Sequence, residues 1–324
     1  MDPSVRPGIV FRGWPRRALA PVNLRCAKLG LGCLRPLGRV HGERGGSALT
    51  PLEDEFGDVV RKAREGQGLD HQRLSQISGV AADRIRAFER YTAAPQRQEC
   101  DALGRALGLS GPALWRLAAG AYHPGEVRIP PGVVCERFTF PGMNSNGYLL
   151  HFPAEGETLL VDPGGDPEPI LAALEERGWR LGAVLLTHGH ADHVAGVEKV
   201  HARTGAPVWA DAREWRGPGL VDLNGLREVP VGRVRVELLP TPGHTPFGVT
   251  FLFPHAVAAC GDTLFAGSLG RAAGGAQEYR RLLASARAIL ALPAETILLP
   301  GHGPITTVGK ERENNPFLTE VASA

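Results

Sequence analysis

The run Thr187-His188-Gly189-His190-Ala191-Asp192-His193 constrains this chain more than any other stretch. Four side chains able to hold a metal fall within the six positions 188–193. The apolar run Ala183-Val184-Leu185-Leu186 leads into it and reads as a buried strand. Val194-Ala195-Gly196-Val197-Glu198-Lys199-Val200 follows with the apolar spacing of a helix. The cluster therefore sits on a strand-to-helix turn, where side chains can converge outside the end of a sheet. His188 and His190 project to one side of an extended turn, and Asp192 and His193 turn elsewhere as the helix begins. One short loop can feed two neighbouring metal positions. Polar groups this crowded beside a buried strand need a partner to offset desolvation. Histidine with carboxylate suits zinc, iron or manganese rather than calcium.

The HxHxDH run resembles the signature of the metallo-β-lactamase superfamily. Further motifs of that family follow in order. His244 stands in Pro240-Thr241-Pro242-Gly243-His244-Thr245-Pro246, Asp262 in Cys260-Gly261-Asp262-Thr263-Leu264-Phe265, and His302 in Leu299-Pro300-Gly301-His302-Gly303-Pro304. Upstream, Val161-Asp162-Pro163-Gly164-Gly165 resembles the family's early strand-end turn. The resemblance covers roughly residues 132–318 and implies an α/β fold, an αββα sandwich with metals along one edge of its two sheets. It assigns His188, His190 and His244 to a first metal, and Asp192, His193 and His302 to a second. Asp262 bridges both, since one carboxylate can link cations about 3.5–4 Å apart. The implied cofactors are two divalent ions, zinc foremost, with iron or manganese as alternatives. A water shared by two dications ionises near neutral pH and can attack a carbonyl carbon. Asp192 doubles as the catalytic proton acceptor. Cys260, a thiol close to Asp262, reads as core packing.

Gly261-Asp262-Thr263-Leu264-Phe265-Ala266-Gly267-Ser268-Leu269-Gly270-Arg271 resembles the glyoxalase II branch, which hydrolyses hydroxyacyl-glutathione thioesters. Gly301-His302-Gly303-Pro304, Thr306-Thr307, Glu311-Arg312 and Asn315-Pro316-Phe317 look like its short bacterial members. A thiolate leaves without a strong general acid, which suits this mechanism. Arg271 and Lys310 are candidates for holding substrate carboxylates. The chain departs from the pattern in three places. It stops soon after Phe317, without the C-terminal helical region of longer glyoxalase II enzymes. Ala272-Ala273-Gly274-Gly275 stands where relatives carry an Asp-Phe pair, which weakens a persulfide dioxygenase reading. Phe247 replaces a small residue after Thr245-Pro246. Lactonase chemistry on the same fold remains an alternative.

Residues 52–120 have a different texture. Phe56, Val59, Val60 and Ala63 share one helical face, and Asp70 is an N-cap for the helix that Gly79 ends. Leu74, Ile77, Gly79-Val80, Ile85 and Leu103 match the spacing of a Cro-type, phage-repressor helix-turn-helix. That resemblance implies a small all-α domain whose second helix, Ala81 to Arg90, enters the major groove with Arg84 and Arg86 as contacts. It makes DNA a candidate partner and a DNA-binding regulator the rival function. Against this, acidic and basic residues balance at about ten each, whereas DNA affinity rests on phosphate neutralisation.

The remaining expectations are coarser. Residues 1–50 read as a disordered basic extension: Arg16, Arg17, Arg25, Lys28, Arg35, Arg39 and Arg44 stand against only Asp2 and Glu43. A transit peptide or a phosphate-binding arm are the alternatives there. Residues 121–131 read as a linker, hinged at 120–125, and 132–324 as the metallo-β-lactamase-fold hydrolase domain. Five cysteines without close pairing indicate a reducing compartment, the cytoplasm. No apolar run approaches the roughly 20 residues that span a bilayer. A net charge of +2 gives no special affinity for a membrane. Homodimerisation through the repressor-like module is a further expectation.

Overall fold

The computed structural model describes residues 49–272 and 274–318. The basic extension expected at 1–50 therefore lies outside the described residues, save its last two positions. Among the described residues, five helices come first: α1 (Phe56–Gly66), α2 (His71–Ser78), α3 (Ala82–Glu89), α4 (Arg97–Leu107) and α5 (Gly111–Ala118). Their ends follow from local chemistry. Glu55 and Asp58 form a capping box at the start of α1. The Asp70 carboxylate accepts from the Arg73 N–H at the start of α2, and Gly79 closes that helix in the left-handed region, at φ 74°. Leu74, Val80, Ile85 and Leu103 are buried as their spacing requires, but Ile77 faces solvent at 43% exposure.

The body that follows contains β1 (Val134–Thr139), β2 (Asn146–Phe152), β3 (Glu157–Val161), α6 (Glu168–Arg177), β4 (Leu181–Leu185), α7 (Ala191–Val194), α8 (Val197–Thr204), β5 (Val208–Ala210), β6 (Leu220–Asp222) and β7 (Glu228–Val231). It continues with β8 (Val234–Pro240), β9 (Val249–Phe253), β10 (Val257–Gly261), α9 (Ala276–Leu290), β11 (Ile297–Pro300), β12 (Thr306–Thr307) and α10 (Val308–Asn314). The strands build two six-stranded sheets, ordered β1-β2-β3-β4-β5-β6 and β12-β11-β10-β9-β8-β7. The helix expected from Val194 onward is split. Asp192 and His193 already lie in the short α7, and α8 starts again after Gly196.

Alternation along the strands sorts side chains into three apolar layers. Leu159 and Val161 of β3 meet Val257 and Ala259 of β10 between the sheets. Leu160 faces the other way, onto α6 and α8 through Ile170, Leu174, Val197 and Val200. Ala258 and Cys260 face the opposite outer layer, where α9 supplies Tyr279, Leu282 and Ile289. The result is two sheets flanked by helices.

The α1–α5 segment joins that last layer. Val59, Leu103, Leu107 and Leu114 belong to one continuous cluster with Leu264, Leu269 and Leu282. A Cβ on Gly66 of α1 would lie 2.4 Å from the Tyr279 ring of α9, so only glycine allows this approach. The stretch expected to hinge, 120–125, is anchored on three sides. The Tyr122 hydroxyl bonds the buried Glu311 carboxylate, His123 bonds the Thr50 carbonyl, and the Pro124 carbonyl accepts from Lys310. Among the described residues, no helix is long and apolar enough to cross a membrane.

Candidate metal centre

Five turns on one edge of the two sheets carry the site. β3 runs into Asp162 and β4 into His188, with the two strands parallel. β10 runs into Asp262 and β11 into His302, again in parallel. β8 leads to His244. Asp162 is the floor. It holds φ 47°, a left-handed conformation that a non-glycine residue adopts only under constraint. The constraint is visible: its carboxylate accepts from the Thr187 N–H at 2.8 Å and the Thr187 hydroxyl at 2.6 Å. The Ser145 hydroxyl donates to the Asp192 carbonyl at 2.5 Å and pins the start of α7.

All seven side chains expected as ligands gather here. His188, His190, His244 and Asp262 form one group whose ligand atoms lie within 4.8 Å of one another. Asp192, His193 and His302 form a second by the same measure. Asp262 links them: its Oδ1 lies 3.3 Å from His193 Nε2, and its Oδ2 lies 3.4 Å from His244 Nε2 and 3.5 Å from His302 Nε2. The Asp192 carboxylate lies 3.2 Å from His302 Nε2 and 3.6 Å from His193 Nε2.

The outward nitrogens fix which ring atoms point inward. His193 Nδ1 donates to Asp162 at 3.1 Å, and His244 Nδ1 donates to the Arg271 carbonyl at 2.8 Å. His188 Nδ1 meets the Thr187 hydroxyl at 3.0 Å. Each Nε2 is thereby turned to the cluster, the arrangement in which an outer partner orients a ligating imidazole. His188 Nε2, His193 Nε2 and Asp262 Oδ1 are buried with no hydrogen-bond partner among the described residues. Orphaned buried atoms cost free energy unless something satisfies them. Three of them converging from two chain segments, the 188–193 loop and the turn at Asp262, fit a divalent cation.

The electrostatics agree. Burial alone would raise Asp262, yet His193, His188 and His244 hold its carboxyl well below the usual range. Asp192 is lowered to about 2, mainly by its hydrogen bond with His302. Burial drives His188 well below its ordinary value, which leaves a neutral imidazole ready to donate a lone pair. Gly301 is required where it stands: a Cβ there would come within 2.1 Å of Asp262 Oδ1 and 2.7 Å of the His193 ring.

The other candidates lie elsewhere or hold other partners. Arg271 gives its carbonyl to His244, while its guanidinium reaches Glu65 of α1 at 2.7 Å. Lys310 sits on α10 and hands its ammonium to the Pro124 carbonyl. Arg84 makes a bidentate pair with Glu99, and Arg86 pairs with Asp83 at 2.7 Å. Cys260 is buried and its thiol bonds the Leu264 carbonyl. Burial pushes its pKa far up, so it offers no thiolate. Sequence reasoning had no role for Asp162, Ser145 or Glu214, whose carboxylate accepts from the Gly189 and Phe247 N–H groups. Asp162 was legible as a turn residue, but its bonds to Thr187 and His193 depend on tertiary pairing of β3 with β4.

Comparison with known proteins agrees with this geometry. Residues 141–302 match the family model of the metallo-beta-lactamase superfamily. A hydroxyacylglutathione hydrolase of Cereibacter sphaeroides is 42% identical over 174 residues, covering 52% of this chain and 66% of the relative. The chain thus spans just under two thirds of that relative's length. The probable metallo-hydrolase YqgX of Bacillus subtilis is 34% identical over 200 residues, covering 54% of this chain and 93% of its own. Among solved structures, the BLEG-1 B3 metallo-beta-lactamase is 31% identical with a TM-score of 0.54, covering 57% of this chain and all of that one. With the motif order, the two-sheet body and the gathered ligand set, these matches place the chain in the metallo-β-lactamase superfamily.

Proposed function

We propose that the chain is a metal-dependent hydrolase, a binuclear thioesterase of the hydroxyacylglutathione hydrolase type. The observation that carries this reading is the meeting of two ligand groups at Asp262, with the buried Nε2 atoms of His188 and His193 left unpartnered beside it. The similarity to hydroxyacylglutathione hydrolases at 42% identity supports the substrate class. Two divalent cations, zinc with iron or manganese as alternatives, would supply a Lewis acid for the acyl oxygen and an ionised water when bound.

The chain's own groups do the rest. His188, His190 and His244 would hold one cation, Asp192, His193 and His302 the other, with Asp262 shared between them. Asp192, only half-buried and held ionised by His302, would also serve as the proton acceptor. Asp162 and the Arg271 carbonyl keep His193 and His244 in the tautomers that present Nε2. Arg271 and Phe247 stand at the rim as candidates to contact substrate, and Lys310 would have to leave Pro124 to do so.

In this reading residues 52–120 form the helical part, 121–131 the connection and 132–324 the catalytic part. The free Cys100, Cys135 and Cys260 fit a cytoplasmic placement. Homodimerisation and DNA binding gain no support; as to DNA, the guanidiniums of Arg84 and Arg86 are already engaged by Glu99 and Asp83. Metal analysis combined with hydrolysis of S-lactoylglutathione tests the proposal. Asp262→Ala is expected to lose both cations and turnover. Two bound cations without thioester hydrolysis would sink the substrate and leave lactonase or persulfide chemistry to be assayed.

A further inference from the structure

We infer that the N-terminal helical segment is part of the metal centre itself, with Glu53 as the positioning residue that holds His302 and Glu65 bracing the support of His244. The inference rests on the metal-dependent reading above. His302 presents Nε2 to Asp192 and Asp262, so its Nδ1 points away from the cluster. That Nδ1 is buried and has no hydrogen-bond partner among the described residues. The carboxylate facing it belongs to Glu53, just ahead of α1, with Oε2 at 3.8 Å. An imidazole whose Nε2 is committed to a cation must carry its proton on Nδ1, and that proton needs an acceptor. A shift of under an ångström in a one-third exposed glutamate supplies it. On the other side the Phe265 ring packs edge-on against His302 at 5.6 Å.

Glu53 is not a loose surface carboxylate. The Arg137 guanidinium donates to the Thr50 hydroxyl at 2.7 Å, and His123 bonds the Thr50 carbonyl at 2.7 Å. A Cβ on Gly303, the residue after His302, would lie 3.0 Å from the Glu53 nitrogen, so the two backbones abut. Lys62 of α1 bonds Asp54 and the Leu269 carbonyl, with its ammonium 5.1 Å above the Phe265 ring. Glu65 of α1 reaches the same site from a second direction: it holds Arg271, whose carbonyl orients His244. One histidine of each proposed cation position thus leans on the helical segment.

The test is a metal titration of the full chain against a competing chelator, with zinc as probe and no substrate present. Glu53→Ala is expected to weaken the more affected cation by about 10–100-fold and leave the other within about twofold, the range for losing such an outer partner. Glu53→Gln, which keeps the shape and one acceptor oxygen, is expected to recover part of that loss. A slowly exchanging Nδ1–H proton resonance of His302 in the zinc-loaded protein should vanish in Glu53→Ala. Both affinities within twofold of wild type in Glu53→Ala, with that resonance intact, would overturn the inference alone. A wild-type chain that takes up no zinc would overturn the metal-dependent reading and this inference with it.

Discussion

Asp162→Asn alters one terminal group in the floor beneath the proposed metal centre. The wild-type carboxylate accepts three hydrogen bonds, from the Thr187 N–H at 2.8 Å, the Thr187 hydroxyl at 2.6 Å and His193 Nδ1 at 3.1 Å. An amide has one acceptor oxygen. If that oxygen stays on the Thr187 N–H, the new NH2 stands against His193 Nδ1–H, and the hydroxyl can rotate to accept instead. His193 can then escape the donor–donor clash only by moving its proton to Nε2, the atom aimed at Asp262. One buried bond to a charged group is lost, worth about 1.5–3 kcal/mol. For a chain of 324 residues that is ~2–4 °C in the unfolding midpoint of the metal-free protein. The tautomer change blocks a ligand atom, so affinity for the second cation should fall about 10–100-fold, or ~1.4–2.7 kcal/mol. Chelator competition with zinc reads the affinity, and calorimetry of the metal-free protein reads the stability. Unchanged zinc affinity in a folded Asp162→Asn protein would refute the claim that Asp162 fixes the His193 tautomer.

Other outcomes follow from the same geometry. Gly301→Ala places a methyl 2.1 Å from Asp262 Oδ1, so metal analysis of the folded variant should show less than the wild-type content. Arg64→Ala leaves Glu89 buried without its bidentate partner at 2.7 and 2.8 Å and should cost about 3–5 kcal/mol in denaturant unfolding. Burial would raise the Glu89 carboxyl, but Arg64 and His71 outweigh it and hold the pKa below its ordinary value. The stability it contributes is therefore present above the unfolded carboxylate pKa and lost as pH falls through the lower folded one. Thermal midpoints measured from about pH 5 downward should drop more steeply in wild type than in Glu89→Gln. Stripping metal with a chelator should lower the midpoint, and zinc at 100 times its dissociation constant should restore about 2.7 kcal/mol per site.

The ligand set was legible in the sequence because chemistry at such sites demands residue types at fixed spacing after a buried strand. His188, His190, Asp192 and His193 announce themselves within one loop, and His244, Asp262 and His302 each follow an apolar run that ends in a glycine-rich turn. The strand before His188 was legible as the apolar run Ala183-Val184-Leu185-Leu186. The short β6 and β12 carry too few residues for any period to show. β7 was hidden by Pro230, which an edge strand tolerates because its free side needs no ladder bond. The amphipathic faces of α1 and α4 say that something covers them but not what. The repressor-like spacing suggests a self-contained bundle, and the observed partner is α9 with the outer face of the second sheet. Glu53 has no motif around it, since its neighbour His302 is distant in sequence and only the folded chain brings them together.

Because the side chains at this edge come from five strand ends spread over more than a hundred residues, no local piece of the chain can assemble the cavity in advance of the sheets. Closing loops of that length costs entropy that the hydrophobic layers, not an ion, must cover. Refolding rates should therefore be the same with and without zinc, with the ion entering a finished scaffold as the last event.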